Sequence, residues 1–158
     1  MGDDNGEWDA EKPQFDYRIR RPYALARFPV TNRQYLLFVE ALAGRGTPEA
    51  VAAANRLKEL MAQHGQKPDD FRPRSWSGAR YRASEGNHPV VDVTWYAATA
   101  FAWWVNAWLH DLGALTEGEE VRLPTEAEWE RAAAYPPVLP GGDPRAGRRE
   151  LPVGQQLD

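Results

Sequence analysis

The 158 residues are 42% hydrophobic and 11% aromatic, with seven tryptophans, enough for one domain with a packed core. Thirteen glycines and thirteen prolines predict many turns and long loops rather than a helical bundle. A formal net charge of −4 argues against a nucleic-acid partner, which needs a concentrated basic face; arginines do cluster at 18, 20 and 21 and at 145, 148 and 149, but acidic stretches offset them.

The N-terminal stretch MGDDNGEWDAEKP is acidic and lacks the basic and apolar regions of a signal peptide. No apolar run approaches the roughly 20 residues of a membrane span, so the expected setting is cytoplasmic, with no membrane partner. Phe15 to Ala26 alternates aromatic and β-branched residues with arginines. That pattern predicts short strands, with Tyr17 and Ile19 on one face and Arg18 and Arg20 on the other. Pro22 limits their length.

A first helix begins after Thr31, where Thr31-Asn32-Arg33-Gln34 reads as a capping box. Tyr35, Phe38, Val39 and Leu42 then recur at helical spacing, and Gly44 and Gly46 end the run. A second helix is predicted from Pro48 to about Gln63, capped by Thr47, with Val51, Leu57, Leu60 and Met61 facing inward. Residues 65–88 read as a long loop anchored by Phe71, Trp76 and Tyr81.

Pro89 to Val93 predicts a short strand, and Thr94 caps a third helix from Trp95 to about His110. Ala98, Phe101, Ala102, Val105 and Leu109 lie along one side of it, and Trp104 and Trp108 widen that side. After a brief extended segment over Val121–Pro124, Thr125-Glu126-Ala127-Glu128 forms another capping box, opening a short helix to Ala134. From Tyr135 onward the chain is rich in proline and glycine and shows no periodicity.

Three stretches carry a family resemblance: FPVTNRQY (28–35), HPVVDVTWYAATAFAWW (88–104) and VRLPTEAEWERAA (121–133). Together and in order they resemble the formylglycine-generating-enzyme, or sulfatase-modifying-factor, family. The resemblance implies an α+β, C-type-lectin-like fold with short strands, a few capped helices and long loops. It covers nearly the whole chain as a single, partial domain, with an insertion at 45–87. Met1-Gly2 with Glu11-Lys12-Pro13, and Leu151-Pro152-Val153-Gly154, resemble segments inside that domain. The chain is therefore expected to be the N-terminal portion of an incomplete domain: a truncated gene, a cleavage product or one piece of a longer protein.

Active members of the family use two cysteines to hold copper(I) and convert a sulfatase cysteine to formylglycine. A soft thiolate pair suits that soft ion. This chain has no cysteine, so no catalytic, cofactor-binding or metal-binding residue carries over, and no cofactor is expected within it. His64, His88 and His110 lack the spacing of a metal site and are read as structural. Glu126, Glu128 and Glu130 invite an acid–base reading, but the first two fit capping and the helix dipole better. Tryptophans 95, 103, 104, 108 and 129 could form a ligand platform; at helical spacing they are read as core.

Three functions remain open from the sequence. The first is a non-catalytic binding or protein-interaction module, its partner a target protein or the remainder of the domain. The second is the N-terminal piece of an oxygen-dependent oxidase or sulfoxide synthase completed elsewhere. The third is a sensor appended to a protease, kinase or immune effector.

Overall fold

In a computed structural model of the chain, residues 5, 12–65, 71–78 and 80–134 are described. The arginines at 145–149 and the segments at 1–4, 6–11 and 151–154 lie outside them. The fold divides into two compact units, Arg27–Leu123 and a second formed by Met1–Ala26 with Pro124–Asp158.

The larger unit holds helices α1 (Asn32–Leu42), α2 (Pro48–Gln63) and α3 (Trp95–Asp111), which pack on one another. The expected capping box opens α1: the Thr31 hydroxyl accepts from Gln34 N–H, and the Gln34 carboxamide oxygen accepts from Thr31 N–H at 2.9 Å. The Thr47 and Thr94 hydroxyls cap α2 and α3 by accepting from Ala50 and Ala97 N–H, without the reciprocal bond, and Pro48 stands at the first position of α2, where no N–H is needed. Gly44, at φ 76°, supplies the left-handed turn that stops the chain after α1.

Tyr35, Phe38, Val39 and Leu42 are all buried, as their spacing predicts. Phe38 lies edge-on to Phe101 at 5.8 Å and against Trp104 at 5.4 Å, with Tyr35 stacked on Phe101 at 5.2 Å. Trp104 is the largest fully buried side chain, and its indole N–H donates to the Ala50 carbonyl at 2.9 Å. It therefore sits at the centre of the α3 face, not on its margin.

The inward face of α2 differs from the predicted one. Ala50, Ala53, Ala54, Leu57 and Met61 are buried, whereas Val51 is half-buried and Leu60 is exposed. Alanines at 50, 53 and 54 let the first half of α2 approach the helix that carries Trp104, and Leu57 and Met61 fill the line beyond them.

The predicted strands are not formed among the described residues. Pairing there reduces to two isolated antiparallel bridges, Thr31 with Pro89 and Ser77 with Arg80. Within 89–93, Pro89 has no N–H to extend a ladder and Asp92 adopts φ 57°, which breaks the extension. Residues 12–26 contribute no ladder, and a two-faced alternation without a partner strand does not make a sheet. A short 3₁₀ turn, Ala83–Glu85, interrupts the expected loop.

In the smaller unit, α4 (Glu126–Ala134) follows the predicted capping box. Glu128 N–H donates to the Thr125 hydroxyl at 3.3 Å, and the Glu128 carboxylate accepts from Thr125 N–H at 2.8 Å. The Tyr23 hydroxyl donates to the Glu128 carbonyl at 2.9 Å, tying the chain around residue 23 to the first turn of this helix.

Candidate functional site

Asn32 is one of two buried polar residues among those described, and its bonds organise the surface above it. Its side-chain oxygen accepts from the Trp76 indole at 2.9 Å, and its amide nitrogen donates to the Glu85 carbonyl at 2.9 Å. Its backbone N–H donates to the His88 carbonyl, and Arg33 N–H to the Gly86 carbonyl, each at 2.9 Å. A single residue at the start of α1 thus holds three points of the 71–93 segment. A buried amide that keeps its partners positions them strictly, because losing one leaves a desolvated group unpaired.

From that anchor three backbone stretches lie side by side. Val90 N–H donates to the Val30 carbonyl at 2.9 Å, which places Phe28–Val30 along one edge of 89–92. On the other edge Arg74 N–H donates to the Asp92 carbonyl at 3.1 Å, and the Ser75 hydroxyl to the Val91 carbonyl at 3.4 Å. Phe71 and Trp76 are buried beneath, and the Tyr35 hydroxyl donates to the Phe71 carbonyl at 2.8 Å. Burial raises the Tyr35 phenol well above its ordinary range, so it remains a neutral donor at physiological pH.

Large apolar side chains are exposed on this frame and at the start of α3. Phe28 is 72% exposed, Val91 56%, Trp95 67% and Tyr96 62%. Trp95 and Tyr96 meet edge to face at 5.3 Å, and the Arg27 guanidinium lies 5.5 Å over the Phe28 ring. Isolated exposed hydrophobes are ordinary; here Phe28 and Val91 lie on stretches joined by the Val90–Val30 bond, and Trp95 and Tyr96 open the helix that follows, which makes them a candidate interaction surface.

The residues weighed from the sequence fall elsewhere. His64 is the C-cap of α2, His110 is in the last turn of α3, and the His88 carbonyl serves the Asn32 anchor. Among the described residues, no group of three or more histidines and carboxylates is placed to hold a metal ion. Glu128 is buried with its carboxylate on the capping bond, while Glu126 is exposed. Of the five tryptophans, Trp104 is core, Trp108 stacks on it at 5.0 Å, and Trp103 is partly buried. Trp95 and Trp129, at 67% and 52% exposure, are not core: each stands on a helix face directed away from the packed interior. Asn32 was missed because it reads as part of a capping box, and its partners lie 44 and 53 residues away in sequence.

The sulfatase-modifying factor enzyme 1-like domain matches residues 1–157. The chain belongs to that family. Among similar proteins, the formylglycine-generating enzyme of Thermomonospora curvata is 32% identical over 139 residues, covering 79% of this chain and 41% of the relative. The serine/threonine-protein kinase Pkn1 of Chlamydia trachomatis is 32% identical, covering 82% of this chain and 16% of the kinase. The hercynine oxygenase of Mycobacterium tuberculosis is 29% identical, covering 85% and 27%. The chain thus spans less than half the length of these relatives. No solved structure gave a significant match. Two of the three motifs that point to the sulfatase-modifying-factor family, PVTN and HPVV, meet at Asn32 and at the Thr31–Pro89 bridge.

Proposed function

We propose that this chain is a sulfatase-modifying-factor-type scaffold that binds polypeptide and is not an oxidase on its own. The observation that carries the reading is the exposed group of Phe28, Val91, Trp95 and Tyr96 on a frame pinned by Asn32. The chain has no cysteine, so it cannot supply the thiolate pair that copper(I) chemistry of the formylglycine-generating type requires. The family's C-type-lectin-like fold is part of the proposal, with this chain as one portion of a longer domain. That extension rests on the 41% coverage of the Thermomonospora curvata relative.

A second reading is favoured by the names of two relatives, formylglycine-generating enzyme and hercynine oxygenase. In it the same scaffold is the N-terminal portion of an oxygen-dependent oxidase whose reactive residues are supplied by other polypeptide. One assay tests the statement that the chain is not an oxidase on its own. The purified full chain is given copper(I), oxygen and a cysteine-containing sulfatase peptide, and the peptide is followed by mass. The scaffold reading expects no conversion, and aldehyde formation by this chain alone would sink it.

A further inference from the structure

We infer that the Phe28–Val91–Trp95–Tyr96 surface takes an acidic segment of a partner protein, carboxylates set beside an apolar residue. The inference deepens the scaffold reading and rests on it. Its first support is charge. The segments that build the surface, 27–33 and 71–96, contain six arginines and only two carboxylates, Glu85 and Asp92, in a chain whose net charge is −4. Arg27, Arg33, Arg74, Arg80 and Arg82 are all exposed. Arg27 lies over the Phe28 ring, and Arg74 is bonded through its backbone to Asp92, the neighbour of Val91.

The second support is residue type. These segments contain no lysine, and tryptophan, tyrosine, phenylalanine and arginine are the residues enriched at protein interfaces while lysine is depleted. A guanidinium presents a planar fork to a carboxylate, and it pairs at lower desolvation cost than an ammonium. Single-stranded nucleic acid would also use arginine and stacking aromatics. The exposed aliphatic Val91 offers no stacking face to a base and suits a peptide's apolar side chain. Arginines on the rim of an apolar patch select the partner and speed its arrival, while the aromatics hold it.

The test is selection of a displayed random dodecapeptide library on the full chain, followed by titration of the selected peptides. The expected result is enrichment of aspartate or glutamate within a few positions of an apolar residue, with binding weakened by salt. Trp95→Ala and Arg74→Glu should each lower affinity by about tenfold or more, and Arg74→Lys by less, with unchanged thermal unfolding showing that the variants fold. Peptides that bind without acidic enrichment, or that ignore both substitutions, overturn this inference but leave the scaffold reading intact. Concentration-dependent dimerisation abolished by Arg74→Glu would assign the surface to a second copy and also overturn it. Failure to select any peptide, or displacement of selected peptides by a uridine oligonucleotide, overturns both readings.

Discussion

The Trp76 indole N–H donates to the Asn32 side-chain oxygen at 2.9 Å, joining residues 44 apart in sequence beneath the aromatic surface. The same asparagine donates to the Glu85 carbonyl, so both ends of its side chain are committed. Asn32→Ala removes both bonds and leaves the Trp76 indole N–H buried without a partner. A loss of about 2–4 kcal/mol of unfolding free energy is expected, at one to three per orphaned group. Denaturant titration measures the loss, and amide exchange should quicken across residues 85–92.

Trp104 offers a test of the core that leaves the surface untouched. Trp104→Phe deletes the bond to the Ala50 carbonyl and part of the stacking with Trp108, at an expected cost of about 2–4 kcal/mol. Ala53→Leu on the facing line of α2 should cost about 1–3 kcal/mol by overpacking. Leu60→Ala, at an exposed position, should stay within about 0.5 kcal/mol of the parent. Thermal melts of the three variants check that ordering.

Tyr35 fixes a pH dependence. Burial raises its phenol above the ordinary value of 10.0, so folding favours the protonated form. The contribution is therefore fully present below that ordinary value and fades as pH rises from it toward the folded value. Unfolding free energy should fall above about pH 10, and Tyr35→Phe should flatten that fall relative to the parent. Denaturation curves at closely spaced alkaline pH values measure the difference.

In the smaller unit, Thr125→Ala should destabilise α4 by about 1 kcal/mol, because it removes the hydroxyl that caps Glu128 N–H. Thr125→Ser should recover most of the loss. Helical circular dichroism over a temperature ramp distinguishes the two.

The helix N-caps were legible in the sequence, because a threonine just before a helical run acts locally: Thr31, Thr47, Thr94 and Thr125 all precede helices, three of them with glutamine, proline or glutamate at a supporting offset. The α1 stripe was legible for the same reason. The inward face of α2 was not, since periodicity weights Val51 and Leu60 by size, whereas the alanines at 50, 53 and 54 are the residues buried where α2 meets the Trp104 helix. Predicted strands failed because alternation signals a face and not a partner, and Asp92 turns the chain at a position no pattern marks. Helical spacing marks Trp95 as core but does not reveal which side of the first turn of α3 faces inward: Ala97 is buried there, while Trp95 and Tyr96 are exposed. Asn32 needed long-range partners to show what it does.

The central claim is that a fixed frame presents Phe28, Val91, Trp95 and Tyr96 outward for another polypeptide. Hydroxyl-radical footprinting of the full chain, diluted until monomeric and read by mass spectrometry, tests this most directly. Trp95 and Tyr96 should oxidise rapidly while Trp76 and Trp104, at 7% and 1% exposure, stay protected. Protection of Trp95 equal to that of Trp104 in the isolated monomer would contradict the claim.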